Sequence, residues 1–141
     1  MIIAIASDHS GFEIKNKIIE RFNSAGLIFI DYGAHNSEAS DYPDFAKAVS
    51  EEIVDKSSDR GILICGTGIG MSICANRNAG VRAALCTSEY MAKKAREHND
   101  ANILVLGAKI SSEEEIFKMI EIFLSEEFEG GRHFARLSKF S

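Results

Sequence analysis

Short apolar runs alternate with amphipathic stretches along the whole chain, and this alternation restricts the fold more than any other feature of the sequence. Five runs predict strands, at residues 2–6, 27–32, 61–64, 81–86 and 103–106. The stretches between and after them predict helices, at residues 12–25, 42–56, 70–76, 88–97 and 111–124, with a short basic helix in the tail after residue 131. Strands that are apolar throughout, each followed by a helix, are typical of a parallel sheet covered on both faces. Because such crossovers are right-handed, the pattern predicts a three-layer, doubly wound α/β fold.

Composition narrows the classes of function that this chain can have. A chain of 141 residues suits one domain with one core, taken as residues 1–141. The net charge of −5 disfavours a nucleic-acid surface, which is usually basic. The three cysteines include no C-x-x-C pair, which disfavours a disulfide framework and a structural zinc site. The apolar run at the N-terminus is too short for a signal peptide or a membrane span, so we expect a cytoplasmic protein with no membrane partner.

Ligands of a doubly wound sheet bind beyond the carboxyl ends of its strands, so the residues that follow each strand are the first candidates for a site. They fall in the segments 7–11, 65–70, 86–88 and 107–109. The segment 65–70, CGTGIG, places three glycines next to a cysteine and opens a predicted helix. Backbone N–H groups in such a loop can approach an anion closely. The spacing matches neither a Walker loop nor a dinucleotide fingerprint, and taken alone the loop is as easily a tight turn.

Two interpretations of Cys65 follow from its position. A cysteine at the end of a strand is usually a small, buried hydrophobic residue. Beside the N-terminus of a helix, the same thiol can become a thiolate that acts as a nucleophile or a base. Cys74 and Cys86 lack such a setting, and we assign both of them to packing.

Two pairs of polar residues have a local structural explanation as well as a binding role. Asp8 and His9 follow the first strand, where they suit a turn or a cap as well as a ligand. His98 and Asn99 end a predicted helix, where the helix dipole alone favours a cationic histidine. That helix end points away from the carboxyl ends of the strands, so this second pair can reach the same site only from another subunit or along an irregular path.

The C-terminal tail carries the third set of polar candidates. Arg132 and Arg136 fall one helical turn apart, with His133 beside them. The spacing suits a solvated basic face, and it also suits binding of a phosphate group by both arginines.

Five motifs occur in order over essentially the whole chain: SDHSGFEIK, DYPDFA, GILICGTGIGMSICANRNAGVRAAL, AREHNDANILVLGAK and GGRHFAR. Together they resemble the type B ribose-5-phosphate isomerases, whose wider group includes galactose-6-phosphate and allose-6-phosphate isomerases. The resemblance implies a Rossmann-like α/β/α sandwich around a five-stranded parallel sheet. It also implies a homodimer or a tetramer with the active site at the subunit interface, and neither a metal nor an organic cofactor.

The resemblance further implies a role for each candidate residue. Cys65 matches the catalytic base, and His98 matches the residue that opens the sugar ring and donates a proton. The positions that match substrate-binding residues are Asp8, His9, Gly66, Thr67, Gly68, Ile69, Gly70, Asn99, Arg132 and Arg136. Lys109 stands where relatives often carry arginine. The positive charge is kept, but the paired hydrogen-bond donors of a guanidinium group are lost. One branch replaces the cysteine by a glutamate base from the following helix; with Met71 and Ser72 on that helix, this chain resembles the cysteine branch.

These residues suit an aldose–ketose isomerisation, in which a proton moves between C2 and C1 of an open-chain sugar phosphate through a cis-enediolate. A thiolate at Cys65 can carry the proton, and the hydroxyl of Thr67 can relay a proton between the two oxygens. The N–H groups of the loop 66–70 can stabilise the enediolate oxygen. Histidine titrates nearest neutrality among side chains, which suits His98 to ring opening. We therefore expect a ribose-5-phosphate isomerase of the non-oxidative pentose phosphate pathway.

Three alternatives remain at this point. The first is an isomerase of the same group that acts on galactose 6-phosphate or allose 6-phosphate; some of these are built from two different subunits, whereas this chain carries the complete residue set. The second is a non-catalytic sugar-phosphate-binding protein, which the presence of Cys65, Thr67 and His98 disfavours. The third is a nucleotide-binding redox protein of flavodoxin type, which the position of the glycines disfavours.

Overall fold

The computed structural model describes residues 1–24 and 26–140, and its centre is a sheet of five strands. The strands are β1 (Ile2–Ser7), β2 (Ile28–Asp31), β3 (Arg60–Cys65), β4 (Ala83–Leu85) and β5 (Ile103–Gly107). They lie in the order β2-β1-β3-β5-β4, and every neighbouring pair is parallel. The order reverses direction at β1 and β3, so these two strands flank the switch point where ligands of such sheets bind.

In the described residues, six helices surround the sheet: α1 (Phe12–Phe22), α2 (Tyr42–Val54), α3 (Ile69–Ala75), α4 (Glu89–Asn99), α5 (Glu113–Ser125) and α6 (Arg132–Leu137). A short 3-10 turn, His9–Gly11, precedes α1. One layer of apolar side chains packs α1, α4 and α5 against the sheet, and a second layer packs α2 and α3 against the opposite face. The predicted three-layer α/β fold is confirmed. In the described part of the chain, no helix is both long enough and apolar enough to cross a membrane.

Two predicted elements differ from the observed ones at their ends. The helix predicted at 12–25 ends at Phe22, because Asn23 leaves the helical region with a ψ of 89°; residue 25 lies outside the described residues. The strand predicted at 81–86 is reduced to the three residues of β4. The N–H group of Arg82 donates to the side-chain oxygen of Asn102 rather than to a neighbouring strand, so the sheet ladder begins one residue later.

A buried arginine fixes the C-terminal tail at the amino edge of the sheet, the edge where the strands begin. Arg96 is only 4 % exposed. Its guanidinium donates to the carbonyls of Ala101 and Glu126, and forms an ion pair with Asp100 at 2.9 Å. The N–H group of Glu129 donates in turn to the carbonyl of Glu97. The segment that leads into α6 is therefore held against the last turn of α4.

Candidate active site

The ends of β1, β3 and β5 deliver the first group of candidate residues to the carboxyl edge of the sheet. This carboxyl-edge group consists of Asp8, His9, the loop 65–70 and Lys109. Asp8 follows β1 and is 6 % exposed. One of its carboxylate oxygens accepts the N–H group of Ser10 at 2.9 Å, which caps the short turn. The local capping role of Asp8 is thus present in the structure.

His9 is held by a reciprocal pair of hydrogen bonds with Ser40. The N–H group of His9 donates to the hydroxyl of Ser40 at 3.0 Å, and the N–H group of Ser40 donates to Nδ1 of His9 at 3.2 Å. Because Nδ1 acts as an acceptor, a neutral imidazole carries its proton on Nε2. The ring is therefore fixed in one tautomer, with an N–H donor left for a ligand.

Cys65 is the last residue of β3 and is 5 % exposed. Its Sγ accepts the N–H group of Gly68 at 3.2 Å, from the loop that leads into α3. A hydrogen bond donated to sulfur stabilises negative charge there, as does the nearby start of a helix. The sulfur therefore accepts one N–H group beside the start of a helix, and it is also covered by its neighbours as the packing interpretation predicts.

The N–H groups of the loop divide into two sets. The N–H of Gly68 is used by Cys65, and that of Ile69 is used by the hydroxyl oxygen of Thr67 at 3.2 Å. Among the described residues, no acceptor is present for the N–H groups of Gly66, Thr67, Gly70 and Met71. These four are left to donate to an anion or to water. The hydroxyl of Thr67 accepts one hydrogen bond and keeps its own proton to donate.

The shape of the loop depends on Gly68. Its φ of +81° lies in the left-handed region, and a Cβ built there would come within 2.5 Å of Cδ1 of Leu85 and 3.2 Å of the carbonyl oxygen of Leu106. A side chain at this position is therefore both strained and sterically blocked.

We expect Gly68→Ala to lower kcat about 10²-fold, because a shift of the loop by about 1 Å misplaces the sulfur and the N–H donors. It should also lower the free energy of unfolding by about 2–4 kcal/mol, from the left-handed φ together with the overlap. Gly26→Ala is the matched control, since Gly26 also has a positive φ, +90°, and has open space around it. Steady-state kinetics and urea denaturation of both variants check the prediction; equal activity of the two would contradict it.

Tyr42 packs against the same loop, and the sequence interpretation did not include it in the site. It is the first residue of α2, and a Cβ on Gly70 would lie 2.7 Å from its Oη. Tyr42 is 38 % exposed, and its ring packs against Gly70 at the beginning of α3. The only signal in the sequence is its position before Pro43, which marks a helix start and gives no indication of contact with a loop 28 residues further on.

The second group of candidates lies at the opposite, amino edge of the sheet. This amino-edge group consists of His98, Asn99, Arg132, His133 and Arg136. The rings of His98 and His133 stack at a centroid distance of 4.2 Å and an angle of 17°. Arg132 and Arg136 are exposed on α6, whereas His133 is only 3 % exposed. Burial and the charge of Arg132 lower the pKa of His133 below its usual range.

The two groups are separated by the length of the sheet. Asn102 lies three residues beyond Asn99, the last residue of α4. Its carbonyl accepts the N–H group of Gly61 at the start of β3. Cys65 lies four residues further along the same strand, about 13 Å away at about 3.3 Å per residue. The structure thus brings together Cys65, Asp8 and the loop at one edge, and His98 and the arginines at the other, but it does not bring the two groups together within one chain.

The other two cysteines lie among packed side chains, as predicted. Cys86 is 1 % exposed, and burial raises the pKa of its thiol to about 12. Cys74 is half-buried on α3, with its sulfur 3.8 Å from the carbonyl of Pro43. Neither thiol has the setting that surrounds Cys65.

The chain is similar to members of one protein family over nearly its whole length. The family model described as Ribose/Galactose Isomerase matches residues 3–140. The chain is similar to ribose-5-phosphate isomerase B of Escherichia coli (strain K12), with 41 % identity over 135 residues that cover 96 % of this chain and 91 % of that protein. Among solved structures, a ribose 5-phosphate isomerase from Thermotoga maritima has a TM-score of 0.96 and 49 % identity, covering 99 % of this chain and 96 % of that one. Ribose-5-phosphate isomerase B from Mycoplasma genitalium, with ribulose-5-phosphate bound, has a TM-score of 0.94 and 43 % identity, covering 98 % and 92 %.

Proposed function

Since the chain belongs to the ribose/galactose isomerase family, and is an isomerase on that ground, we propose that it interconverts ribose 5-phosphate and ribulose 5-phosphate. The relative from Mycoplasma genitalium holds ribulose-5-phosphate, and the one from Escherichia coli is a ribose-5-phosphate isomerase. The matches span nearly the full length of each chain, so we treat residues 3–140 as one isomerase domain.

The separation of the two groups supports an active site built from two copies of this chain. The carboxyl-edge group holds a sulfur and a set of N–H donors, but it offers only Lys109 as a cation for a phosphate. The amino-edge group holds two exposed arginines and two histidines, but it contains no thiol and no glycine-rich loop. Each group thus has what the other lacks. A symmetric homodimer that brings the carboxyl edge of one copy against the amino edge of the other completes two equivalent sites; a tetramer of such dimers is equally compatible.

Binding and ring opening fall to the amino-edge group in this proposal. Arg132 and Arg136 are one helical turn apart on α6 and can both contact a single phosphate. Asn99 follows His98 at the end of α4 and can donate to a sugar hydroxyl. His98 can exchange a proton with the ring oxygen, because imidazole is an acid and a base near neutral pH. Binding of the phosphate then orients the reacting carbons toward the carboxyl edge of the second copy.

Proton transfer falls to the carboxyl-edge group. The Cys65 thiolate removes the proton from C2 of the open-chain aldose, and the electrons move through C1 to its oxygen to give the cis-enediolate. The N–H groups of Gly66, Thr67, Gly70 and Met71, which have no acceptor among the described residues, can donate to this oxygen and stabilise its charge. The hydroxyl of Thr67 relays a proton between the two oxygens, and the thiol returns the proton to C1 to give the ketose. Asp8, the Nε2 proton of His9 and Lys109 bind the remaining hydroxyls.

The three thiols are free, which suits a reducing compartment. On that ground we place the enzyme in the cytoplasm, where the reaction would belong to the non-oxidative pentose phosphate pathway.

A substrate panel tests the proposal. The purified chain is assayed for aldose–ketose conversion of ribose 5-phosphate, galactose 6-phosphate and allose 6-phosphate. We expect the highest kcat/KM with ribose 5-phosphate. Preference for either hexose phosphate would indicate an isomerase that acts on six-carbon sugars. No conversion of any of the three would indicate a non-catalytic sugar-phosphate-binding protein.

Arg136→Ala is expected to raise KM about 10- to 100-fold and to change kcat by less than about threefold, because the phosphate contact is charge-assisted and remote from the reacting carbons. Lys139→Ala is the matched control, since Lys139 is an exposed cation of the same tail with no assigned contact. Steady-state kinetics check this split. A loss confined to kcat would contradict a role in phosphate binding.

A further inference from the structure

Three side chains at the amino edge form a cluster with metal-ligating chemistry. His98, Glu129 and His133 each offer one ligand atom, and the three atoms lie within 4.8 Å of one another. His98 belongs to the proposed active site, whereas neither Glu129 nor His133 has a role in the proposed reaction. The cluster combines three parts of the chain: the last turn of α4, the segment before α6, and α6 itself.

The ring nitrogen of His133 is the observation that points to a ligand. His133 is 3 % exposed, and within the described residues its Nε2 has no hydrogen-bond partner. A carboxylate oxygen of Glu129 lies 3.5 Å from it, which is beyond a good hydrogen bond. Buried polar atoms are nearly always paired, so an orphaned imidazole nitrogen facing a carboxylate leaves room for a bridging species.

The spacing of the donor atoms is close to that of a tetrahedral metal site. Bonds of about 2.0–2.1 Å in a tetrahedron place neighbouring ligand atoms about 3.4 Å apart. The pair His133 and Glu129 has this spacing already, at 3.5 Å. The third ligand atom, on His98, lies within 4.8 Å of the other two. The stacked rings must tilt toward each other for their lone pairs to converge, and both His98 and Glu129 are partly exposed and can rotate.

We propose that His98, Glu129 and His133 bind a divalent ion of the zinc class, with the fourth coordination position open. Two imidazoles and one carboxylate suit Zn²⁺, Co²⁺ and Ni²⁺. Arg132 lies beside His133 and repels any cation. Ions such as Mg²⁺, which bind through charge and prefer oxygen ligands, therefore gain too little here to bind.

Occupation of this site inhibits the enzyme. This consequence rests on the proposed function, in which His98 opens the sugar ring. A histidine nitrogen that is coordinated to a metal ion cannot donate or accept a proton, so the closed sugar is no longer opened. The same chain would then be active without zinc and inactive with it.

Metal binding is measured first, and without reference to activity. The full chain is titrated with Zn²⁺ by calorimetry, and with Co²⁺ by visible absorption, which reports tetrahedral coordination. We expect one zinc ion per chain, no heat with Mg²⁺, and at least tenfold weaker zinc binding by Glu129→Gln. Glu129 is 44 % exposed at its side chain, so this variant keeps the fold. His133→Asn is a second variant that lacks one ligand of the cluster. Cys65→Ser excludes binding at the reactive thiol.

Activity is measured second. We expect zinc to inhibit the unmodified enzyme and to inhibit Glu129→Gln at least tenfold less, with equal activity of both in the absence of metal. The proposal is overturned by absence of zinc binding, by binding that Glu129→Gln and His133→Asn leave unchanged, or by binding that Cys65→Ser abolishes. Zinc bound at this cluster without inhibition would support the metal site and contradict the role of His98 in the reaction.

Discussion

Replacement of Cys65 by serine is expected to lower kcat for ribose 5-phosphate about 10³-fold, with KM within about threefold of the unmodified enzyme. Serine keeps the size of the side chain and can accept the hydrogen bond that Gly68 donates to sulfur. It lacks an ionisable thiol, so the base is lost while the binding surface is kept. Steady-state kinetics measure both constants, and circular dichroism checks that the fold is retained.

Cys74→Ser is the matched control for this prediction. Cys74 lies on α3, behind the same loop, and is half-buried with no assigned role. Its replacement should leave kcat within about twofold of that of the unmodified enzyme, as is usual for conservative changes away from a site. Activity of Cys65→Ser comparable to that of Cys74→Ser would show that another group removes the proton.

The second large effect is recovery of activity from two inactive variants. Cys65→Ala and His98→Asn each remove one half of the site, so each homodimer should be inactive. In a heterodimer of the two, one site carries both substitutions and the other carries neither. Random assortment makes half of the dimers mixed, and each has one working site, so roughly a quarter of the unmodified activity should return.

The control for this experiment is a mixture of two carboxyl-edge variants, Cys65→Ala and Gly68→Ala. In their heterodimer each site contains one of the two substitutions, and no activity should return. Co-expression with two different affinity tags isolates the mixed dimers for assay. Failure of the Cys65→Ala and His98→Asn mixture to recover activity would contradict a site shared between two copies.

The fold could be predicted from the sequence because its determinants are local. Each strand is an apolar run, and each helix carries its own signal, such as the reciprocal cap of Ser112 and Glu115 at the start of α5. Prediction was less accurate where a distant side chain decides the end of an element. Asn102 takes the N–H group of Arg82 and shortens β4, and nothing within residues 81–86 indicates this.

The candidate site could be predicted only in part, for a related reason. The loop 65–70 and Asp8 follow their strands directly, so topology alone brings them to one edge. The hydrogen bonds of His9 with Ser40, 31 residues away, and the contact of Tyr42 with Gly70 depend on how a long loop folds back over the sheet. The direction of α4 did predict that His98 lies at the opposite edge from Cys65. The roles of these residues stay predictions until the variants are measured.

Proton NMR of the reaction in D₂O reports directly on proton transfer through Cys65. The purified enzyme is incubated with ribose 5-phosphate, beside Cys65→Ser under the same conditions. We expect ribulose 5-phosphate with deuterium entering at C1, and about 10³-fold slower incorporation by the variant, because the proton passes through an exchangeable thiol. Product formation and deuterium incorporation at the same rates by Cys65→Ser would contradict proton transfer through Cys65.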